Sequence, residues 1–335
     1  MAKVSDNWPT AWGPPVCTAS FKLEPEHFRV TELSDLKLSG SGDYLYLWVE
    51  KKGFDTHSVV MDLSRAVGIK PRDIGYSGRK DKQAVTRQWF SLYVPGGLSG
   101  HLPAESPNYK ILKTDQHVTG LSSGQHAGNQ FKIRLTDVNG DRDAIEERLE
   151  SIKQSGFPNY FGDQRFGSKY QNLTRGRRML AGKLRVRERN QRSLYLSACR
   201  SFLFNEVLAE RIRQDSWRNI LPGDMGASPE LYWPQTMSTY DSEMNGPLIS
   251  LYGDGDSVMS GETKHLEEQV YAMHQELCDG IRSSRVEWST RPAVMFSNDL
   301  TYEWDNVDLI LRFSLSKGAF ATALLSEIVA ELINS

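Results

Sequence analysis

The chain has 335 residues, 39% of them hydrophobic and 24% charged, which is typical of a soluble globular protein and long enough for two domains. Its net charge of −2, from 40 Lys and Arg against 42 Asp and Glu, argues against a nonspecific nucleic-acid-binding protein, because such proteins carry a large positive excess. No apolar run reaches the length of a membrane span, residues 1–15 lack the features of a secretory signal, and the three cysteines are too widely spaced for a disulfide framework or a zinc site. These observations predict a cytoplasmic protein with no membrane association and no metal site.

Periodic patterns predict the elements of the first hundred residues. Residues 44–49 alternate aromatic and aliphatic side chains with a period of two, which indicates a strand. Asp55 or Thr56 can cap a helix whose apolar positions follow helical spacing for about three turns. Residues 85–93 alternate again and predict a second strand.

The same patterns predict the rest of the chain. We expect a turn at 128–129, then a strand over 131–135 and helices over 141–155 and 194–212. Loops and short strands are expected over 221–261, followed by a helix over 264–281, a strand from 307 and an apolar helix through 333. Gly156 and Pro158 end the helix over 141–155 and mark a domain boundary. Because the C-terminal pattern returns to that of the first unit, we expect one domain over 1–154 and 295–335, with residues 155–294 inserted between its two parts.

The near-neutral charge hides a strong asymmetry. Residues 165–192 contain ten Lys and Arg against the single acidic residue Glu188, whereas residues 219–263 contain seven Asp and Glu and no Lys or Arg. One surface should therefore attract phosphates and another should repel them. A salt-bridged helix surface is the alternative for the basic segment, but the acidic partners that it needs are missing.

The most specific feature is the segment 78–86, in which Asp81 lies between Arg79, Lys80 and Lys82 just before a predicted strand. Nearby opposite charges favour the ionised carboxylate, so Asp81 is a usable nucleophile or base. A solvated turn is the alternative, because runs of charge usually lie in water.

Five segments carry a resemblance to a known family. They are 78–81, Gly128-Asn129-Gln130-Phe131, 158–167, 189–205 and Gly318-Ala319-Phe320-Ala321-Thr322. They resemble, in the same order, motifs of the TruD family of tRNA pseudouridine synthases, and the similarity extends from about residue 21 to the C-terminus. The resemblance implies an α+β fold, with a pseudouridine-synthase catalytic domain built on a mixed, largely antiparallel sheet and an inserted α/β TRUD domain.

The resemblance also implies an activity and its residues. The expected reaction is isomerisation of uridine 13 of tRNA to pseudouridine, without cofactor or metal, with Asp81 as the catalytic residue and Phe28, Asn129 and Phe320 in contact with a flipped-out uridine. Supporting roles are expected for Lys80, Phe131, Asn159 and Arg165. The candidates for contact with the tRNA backbone are Arg175, Arg177, Arg178, Arg185, Arg187, Arg189 and Arg192. We expect a monomer with tRNA as its partner and no obligate protein partner.

The residue types suit this chemistry but leave alternatives open. A carboxylate can attack C1′ or remove a C2′ proton, and the sequence does not choose between the two routes. Without the family, Phe28 and Phe320 would be core residues, Asn129 a turn residue and Lys80 a surface lysine. Two other functions remain: a noncatalytic tRNA-binding or folding factor on the same scaffold, and a nucleosidase or glycosidase. The hydrolase is disfavoured because the Asp81 motif has no second carboxylate to activate water.

Overall fold

The computed structural model describes residues 8–96, 106–226 and 246–333. Strands from both ends of the chain pair in one ten-stranded sheet. Its strands are β1 (Cys17–Phe21), β2 (Phe28–Leu33), β3 (Tyr44–Lys52), β4 (Ile74–Tyr76), β5 (Val85–Tyr93), β6 (Tyr109–His117), β7 (Gly128–Gly140), β12 (Thr301–Asp305), β13 (Asp308–Ser316) and β14 (Val329–Ile333). The central order is β12-β13-β7-β2-β5-β3-β6. The pairs β1–β14 and β2–β5 are parallel and the others are antiparallel, which confirms the predicted fold class.

Helices and two small sheets complete the fold. The helices are α1 (Thr56–Val67), α2 (Arg142–Ser155), α3 (Asp163–Phe166), α4 (Gln171–Leu180), α5 (Arg189–Arg213), α6 (Gly261–Ala272), α7 (Gln275–Ser283) and α8 (Ala321–Ser326). The small sheets pair β8 (Phe157–Pro158) with β11 (Val294–Met295) and β9 (Leu248–Leu251) with β10 (Ser289–Pro292). Across the three described ranges, every helix is too short or too polar to span a bilayer.

The large sheet is covered by helices on one face. Leu63 of α1 belongs to a cluster with Phe90 of β5, and Ile145 of α2 belongs to the main core with Phe131 of β7. In β2 the residues Phe28, Val30 and Glu32 are buried on this inner face, while the alternate positions point to the other side. The Asp81 loop lies on the inner face, because its supports Thr56 and Gln88 are buried there.

Most predicted elements are confirmed. The strands over 44–49 and 85–93 correspond to β3 and β5, and the predicted caps are present: the Asp55 side chain accepts a hydrogen bond from Ser58 N (3.0 Å), and Gly68 ends α1 with φ 74°. The helices over 141–155 and 194–212 correspond to α2 and α5, although α5 begins five residues earlier at Arg189.

Three predictions were wrong. Gly128 and Asn129 are not a turn but the first residues of β7, since they pair with Ser316 and Leu315 of β13. The helix over 264–281 is two helices, α6 and α7, separated at residues 273–274. The apolar helix through 333 ends after the short α8, because β14 pairs in parallel with β1, and this long-range pairing decides the structure of a segment that also fits a helix.

The middle of the chain contributes α3–α7 and the small sheets, whose core side chains join the main core. Part of the predicted loop region, residues 227–245, lies outside the described residues. The domain boundaries at 154 and 294 stay a prediction.

Candidate active site

Two buried polar side chains fix the backbone of the Asp81 loop between β4 and β5. Thr56 Oγ1 accepts a hydrogen bond from Lys80 N (3.0 Å) and donates one to Gln88 Oε1 (3.1 Å). Gln88 Nε2 donates to the Gly78 carbonyl (3.0 Å). A buried polar network that is paired in this way has one favoured arrangement, so the loop presents Asp81 from a rigid base.

The Asp81 carboxylate is 28% exposed, and two side chains orient it through the same oxygen. Lys22 Nζ donates to Oδ2 at 2.5 Å, and Gln164 Nε2 donates to Oδ2 at 3.1 Å. Within the described residues Oδ1 accepts no hydrogen bond, so one oxygen of an oriented carboxylate remains available to a ligand.

The cation that pairs with Asp81 is therefore not one of its sequence neighbours. Arg79 and Lys82 are exposed, whereas Lys22 follows β1 and has a left-handed backbone conformation with φ 59°. A non-glycine residue in this conformation is uncommon and often occurs at functional sites. Sequence reasoning missed Lys22, since 59 positions separate it from Asp81 and no motif links them.

Lys80 is buried and is not the surface lysine that its residue type alone suggests. Its side chain is only 5% exposed; Nζ donates to Asn129 Oδ1 (2.7 Å) and lies 3.2 Å from Glu32 Oε2. Burial lowers the pKa of Lys80 and raises that of Glu32, and the ion pair opposes both shifts. Lys80 thus neither orients the Asp81 carboxylate nor reaches a phosphate in this structure; it positions Asn129.

Phe28 lies directly beside the Asp81 ion pair. It is 6% exposed, Lys22 Nζ is 4.0 Å from its ring centroid, and its ring stacks at 6.0 Å on Phe131. Phe28 is therefore part of the core at the floor of the site, as is Phe131. A uracil that stacked on Phe28 would have to displace the Lys22 ammonium from the ring.

The segment 158–167 brings Phe320 toward this site. Phe161 and Phe320 have ring centroids 6.0 Å apart, and Gly162 approaches α8 so closely that a Cβ there would lie 2.7 Å from Thr322 Oγ1 and 3.3 Å from Phe320 Cδ1. Two residues later, Gln164 reaches Asp81. The sequence motif therefore joins two predicted site residues that are far apart in the chain.

Asn159 links the segment 158–167 to residues 291–292, and it is buried among backbone groups. Its Nδ2 donates to the Pro292 carbonyl (2.9 Å), and its Oδ1 accepts from Arg291 Nη2 (2.5 Å). Arg291 also donates through Nη1 to the Gly318 carbonyl (3.0 Å), and burial lowers the pKa of Arg291 to about 9. Sequence reasoning left open whether Asn159 joins two segments or touches RNA; the geometry supports the joining role and adds Arg291.

Arg165, from the same motif, lies against Phe161 with its guanidinium carbon 5.3 Å from the ring centroid. Its Nη1 donates to Ser197 Oγ (3.2 Å), and its buried Nε has no hydrogen-bond partner among the described residues. No described carboxylate pairs with this guanidinium, so it can still bind an anion.

Two more groups beside the loop had no sequence signal. Lys51 of β3 is 1% exposed and donates through Nζ to the Asp81 carbonyl (2.6 Å), and burial lowers the pKa of Lys51 to about 8. His126 lies against Gly78, and burial together with the charges of Lys80 and Lys317 lowers its pKa to about 4. His126 is therefore neutral at physiological pH and adds no charge to the site.

The basic segment is exposed, as predicted. The seven candidate side chains are Arg175, Arg177, Arg178, Arg185, Arg187, Arg189 and Arg192, and none forms an ion pair with a described carboxylate. Arg175 Nη1 donates to the Tyr195 hydroxyl (3.2 Å), and Arg177 lies 4.6 Å from the centroid of the Phe202 ring. The alternative of a salt-bridged helix surface finds no support in these contacts.

The acidic segment does not form the uniform surface that its composition predicts. Asp224 is buried and pairs with the buried Arg211 at 2.8 Å. Glu230, Asp241 and Glu243 lie outside the described residues. Over the described ranges, no group of His, Cys, Asp and Glu side chains is arranged to hold a metal ion.

Comparisons with known proteins agree with the motifs. The family model described as "tRNA pseudouridine synthase D (TruD)" matches residues 11–186 and 171–328. The chain is similar to proteins named tRNA pseudouridine synthase D from Pseudomonas fluorescens (38% identity, covering 96% of this chain and 94% of the relative), Cellvibrio japonicus (37%, covering 98% and 95%) and Legionella pneumophila (36%, covering 96% and 98%).

A solved structure shares the fold. The crystal structure of a chain assigned as tRNA pseudouridine synthase D (TruD) from Methanosarcina mazei superposes with a TM-score of 0.71 at 19% identity, covering 97% of this chain and 96% of the other. The extent of the family match and the identity to three relatives over nearly their whole length show that the chain belongs to the tRNA pseudouridine synthase D (TruD) family.

Proposed function

We propose that the protein isomerises uridine 13 of tRNA to pseudouridine, with Asp81 as the catalytic residue. The observation that carries the proposal is the Asp81 carboxylate, oriented through Oδ2 by Lys22 and Gln164, with Oδ1 open to a ligand. The relatives named tRNA pseudouridine synthase D support the reaction, and the family resemblance supports the choice of uridine 13.

The geometry fits a reaction that breaks and remakes a glycosidic bond. The Asp81 carboxylate can attack C1′ or remove a C2′ proton, and Lys22 orients it by a charge-assisted hydrogen bond. Glu32, the acidic residue beside Lys80, is fully buried in its ion pair, so it cannot activate water as the second carboxylate of a glycosidase does. The arrangement therefore favours isomerisation over hydrolysis.

The surroundings supply the remaining requirements for an RNA substrate. Asn129, held by Lys80, offers an amide edge to a pyrimidine, and Phe320 offers aromatic surface for a base that has left its stack. Phe28, which lies under Lys22, forms the floor of the site and can stack on a base only if the Lys22 ammonium moves. The exposed arginines from Arg175 to Arg192 belong to α4, to α5 and to the segment between them, and both helices pack against α3, which carries Gln164, so these side chains are candidates to bind a phosphate backbone. Arg165, which has no described carboxylate partner, is a further candidate for a phosphate contact.

Tritium release tests the proposal. A tRNA transcript with tritium at uridine C5 loses that tritium when uridine becomes pseudouridine, and wild-type protein should release one equivalent from a substrate with uridine 13. Asp81→Asn should abolish release without weakening tRNA binding by more than a few fold. Asp73→Asn, which changes a half-buried carboxylate that pairs with Arg72 outside the site, is the control and should retain full activity.

Each rival predicts a different outcome. Free uracil among the products would identify a nucleosidase. Binding of tRNA without any release by wild type would identify a noncatalytic factor. Release that persists from a transcript carrying cytidine at position 13 would contradict the assigned site, and undiminished release by Asp81→Asn would remove Asp81 from the mechanism.

A further inference from the structure

The large sheet has a second face, opposite the Asp81 loop, on which helices do not pack in the described structure. We call it the outer face; its central side chains are Arg29, Thr31, Trp48, Glu50, Arg87, Trp89, Gln130, Lys132 and Arg312, of which Glu50 pairs with Arg87. Arg29, Arg87, Gln130 and Lys132 are exposed there. Antiparallel sheets often leave one face to water, so exposure alone carries no function.

The charge arrangement on the outer face is unusual. Lys132 of β7 lies directly opposite Arg29 of β2 on one side and Arg312 of β13 on the other. Neighbouring strands are about 4.8 Å apart, so three cations stand side by side across three strands. Like charges directly opposite each other destabilise a sheet.

Two of these three cations form no close ion pair, although Glu26 lies near enough to Arg29, and Glu303 near enough to Lys132, to interact with them electrostatically. Arg312 pairs with Glu303 at 2.7 Å, but Arg29 and Lys132 form no ion pair with any described carboxylate. Two shallow hollows, of about 290 and 240 Å³, are both lined by Arg29 and Lys132. An anion between these side chains would relieve the repulsion, and the hollows give it room.

Aromatic side chains continue the outer face on the neighbouring strands. Trp48 of β3 and Trp89 of β5 are half-buried cross-strand partners with ring centroids 5.2 Å apart. Lys113 of β6, which pairs with Trp48, places Nζ 6.0 Å from the Trp89 ring centroid. Indole rings beside exposed cations on an open sheet are suited to stacking with nucleobases while phosphates meet the cations.

We propose that the outer face is a second RNA-binding surface, which takes a single-stranded stretch of the RNA whose target uridine enters the Asp81 site. The phosphates bind Arg29 and Lys132, and bases stack at Trp48 and Trp89. This proposal rests on the RNA substrate of the proposed function. The combination of flat aromatic surface with unpaired cations favours RNA over an acidic peptide, which needs the cations but not the two indoles.

Binding measurements with a labelled single-stranded 12-nucleotide RNA and with a full tRNA transcript test the proposal. The double variant Arg29→Gln/Lys132→Gln should weaken binding of the 12-mer about tenfold and reduce the slope of log K against log salt by about 1.4, since each phosphate contact contributes about 0.7 for a single strand. The same variant should raise Tm by a few degrees, because it removes opposed like charges.

Matched controls separate this surface from general charge effects. Lys70→Gln/Arg72→Gln removes two exposed cations away from the outer face and should leave the 12-mer affinity and Tm unchanged. Arg29→Lys keeps the charge and should retain affinity. Arg185→Gln/Arg187→Gln should weaken tRNA binding but leave the Tm of the protein unchanged, because these arginines do not lie on the outer face.

Unchanged 12-mer binding by Arg29→Gln/Lys132→Gln would overturn the proposal, and so would an equal loss of 12-mer affinity in Lys70→Gln/Arg72→Gln. If polyglutamate competed with the 12-mer as well as unlabelled RNA does, the outer face would instead be a surface for an acidic protein. Tritium release by the wild type separates the two proposals. If the wild type releases no tritium, the proposed isomerase function is wrong. If the wild type releases tritium and Arg29→Gln/Lys132→Gln binds RNA like the wild type, only the RNA-binding role of the outer face is wrong.

Discussion

Lys51 shows how a buried charge can act through the backbone of the Asp81 loop. It has no carboxylate partner among the described residues, and its ammonium donates to the carbonyl of Asp81 at 2.6 Å and lies 3.5 Å from that of Lys80. A charged hydrogen bond of this kind contributes about 1.5–3 kcal/mol, and here it fixes the position of Asp81, the proposed catalytic residue. Lys51 is a positioning residue rather than a catalytic one.

Titration of Lys51 should therefore appear in the pH profile. Burial lowers the pKa of Lys51 to about 8; the charges of Asp81 and Asp55 oppose this shift and that of Lys80 adds to it. Because the ammonium is lost as the pH rises through 8, kcat for tritium release should fall above that pH. Lys51→Gln should lower kcat about ten- to hundredfold at pH 7 and remove this alkaline limb, with little change in KM.

Lys52→Gln is the matched control, since Lys52 is the next residue of β3 but is exposed and pairs with Glu26. It should keep the wild-type pH profile. Lys51→Arg should recover part of kcat and move the alkaline limb above pH 9. An alkaline limb that survives in Lys51→Gln would assign it to another group.

At the scale of residues, the sequence pointed to the Asp81 carboxylate as a candidate but did not predict the side chains that contact it. Asp81 stands in a motif, and so do Gln164 and Asn159, although their contacts were not predicted. Lys51 belongs to β3 and Lys22 directly follows β1, and neither has a distinctive sequence context; they meet Asp81 only because the sheet brings them there. Pairing between residues tens of positions apart leaves no periodicity to detect.

At the scale of elements, the site depends on the close approach of the segment 158–167 to α8. Gly162 has φ −73° and ψ 166°, which any residue can adopt, so it is glycine because of its neighbours and not because of its backbone. A Cβ would lie 2.7 Å from Thr322 Oγ1. Overpacking of this kind costs about 1–3 kcal/mol and would move Phe320 relative to Gln164.

Gly162→Ala should therefore lower kcat/KM for tritium release about tenfold or more while the protein remains folded by circular dichroism. Thr322→Ala alone should have a small effect, and the double variant should regain activity, because it removes the atom that the new Cβ meets. A double variant no better than Gly162→Ala would show that the contact with Thr322 is not the cause.

Helices and strands were predicted correctly where capping residues and periodicity indicated the same element. They were predicted wrongly where pairing with a distant strand determines the structure. The helix α1 has its Asp cap and its glycine end, and β3 and β5 have clear alternation. Residues 128–129 and 329–333 become strand only through pairing with β13 and β1, which a local pattern cannot reveal. The acidic composition of 219–263 likewise did not reveal that Asp224 is buried with Arg211.

For the whole molecule, the two ends of the described chain are joined through one buried carboxyl group. Glu327 Oε2 accepts hydrogen bonds from the backbone of Ala11 (2.9 Å) and Trp12 (3.2 Å). Trp12 Nε1 in turn donates to the Gly156 carbonyl (3.0 Å), so the N-terminal residues, α2 and α8 are linked at one point.

This link makes stability depend on pH in a defined direction. Burial raises the pKa of Glu327 to about 7, whereas its hydrogen bonds with Ala11 and Trp12 and the charge of Arg148 act in the opposite sense. The folded protein therefore binds a proton more tightly than the unfolded chain, whose Glu titrates near 4.5. The contribution of protonated Glu327 to the free energy of unfolding is fully present below pH 4.5 and is lost as the pH rises through 7. The free energy of unfolding changes by about 3 kcal/mol over this range.

Glu327→Gln should remove this dependence, because the amide oxygen still accepts both hydrogen bonds and the amide, like the protonated acid, carries no charge. Relative to wild type, the variant should have a similar Tm at pH 5.0 and a Tm several degrees higher at pH 8.0. Glu268→Gln, an exposed position, should follow wild type at both pH values. A Tm difference between Glu327→Gln and wild type that stays constant from pH 5.0 to 8.0 would show that Glu327 is not the titrating group that weakens the fold at neutral pH.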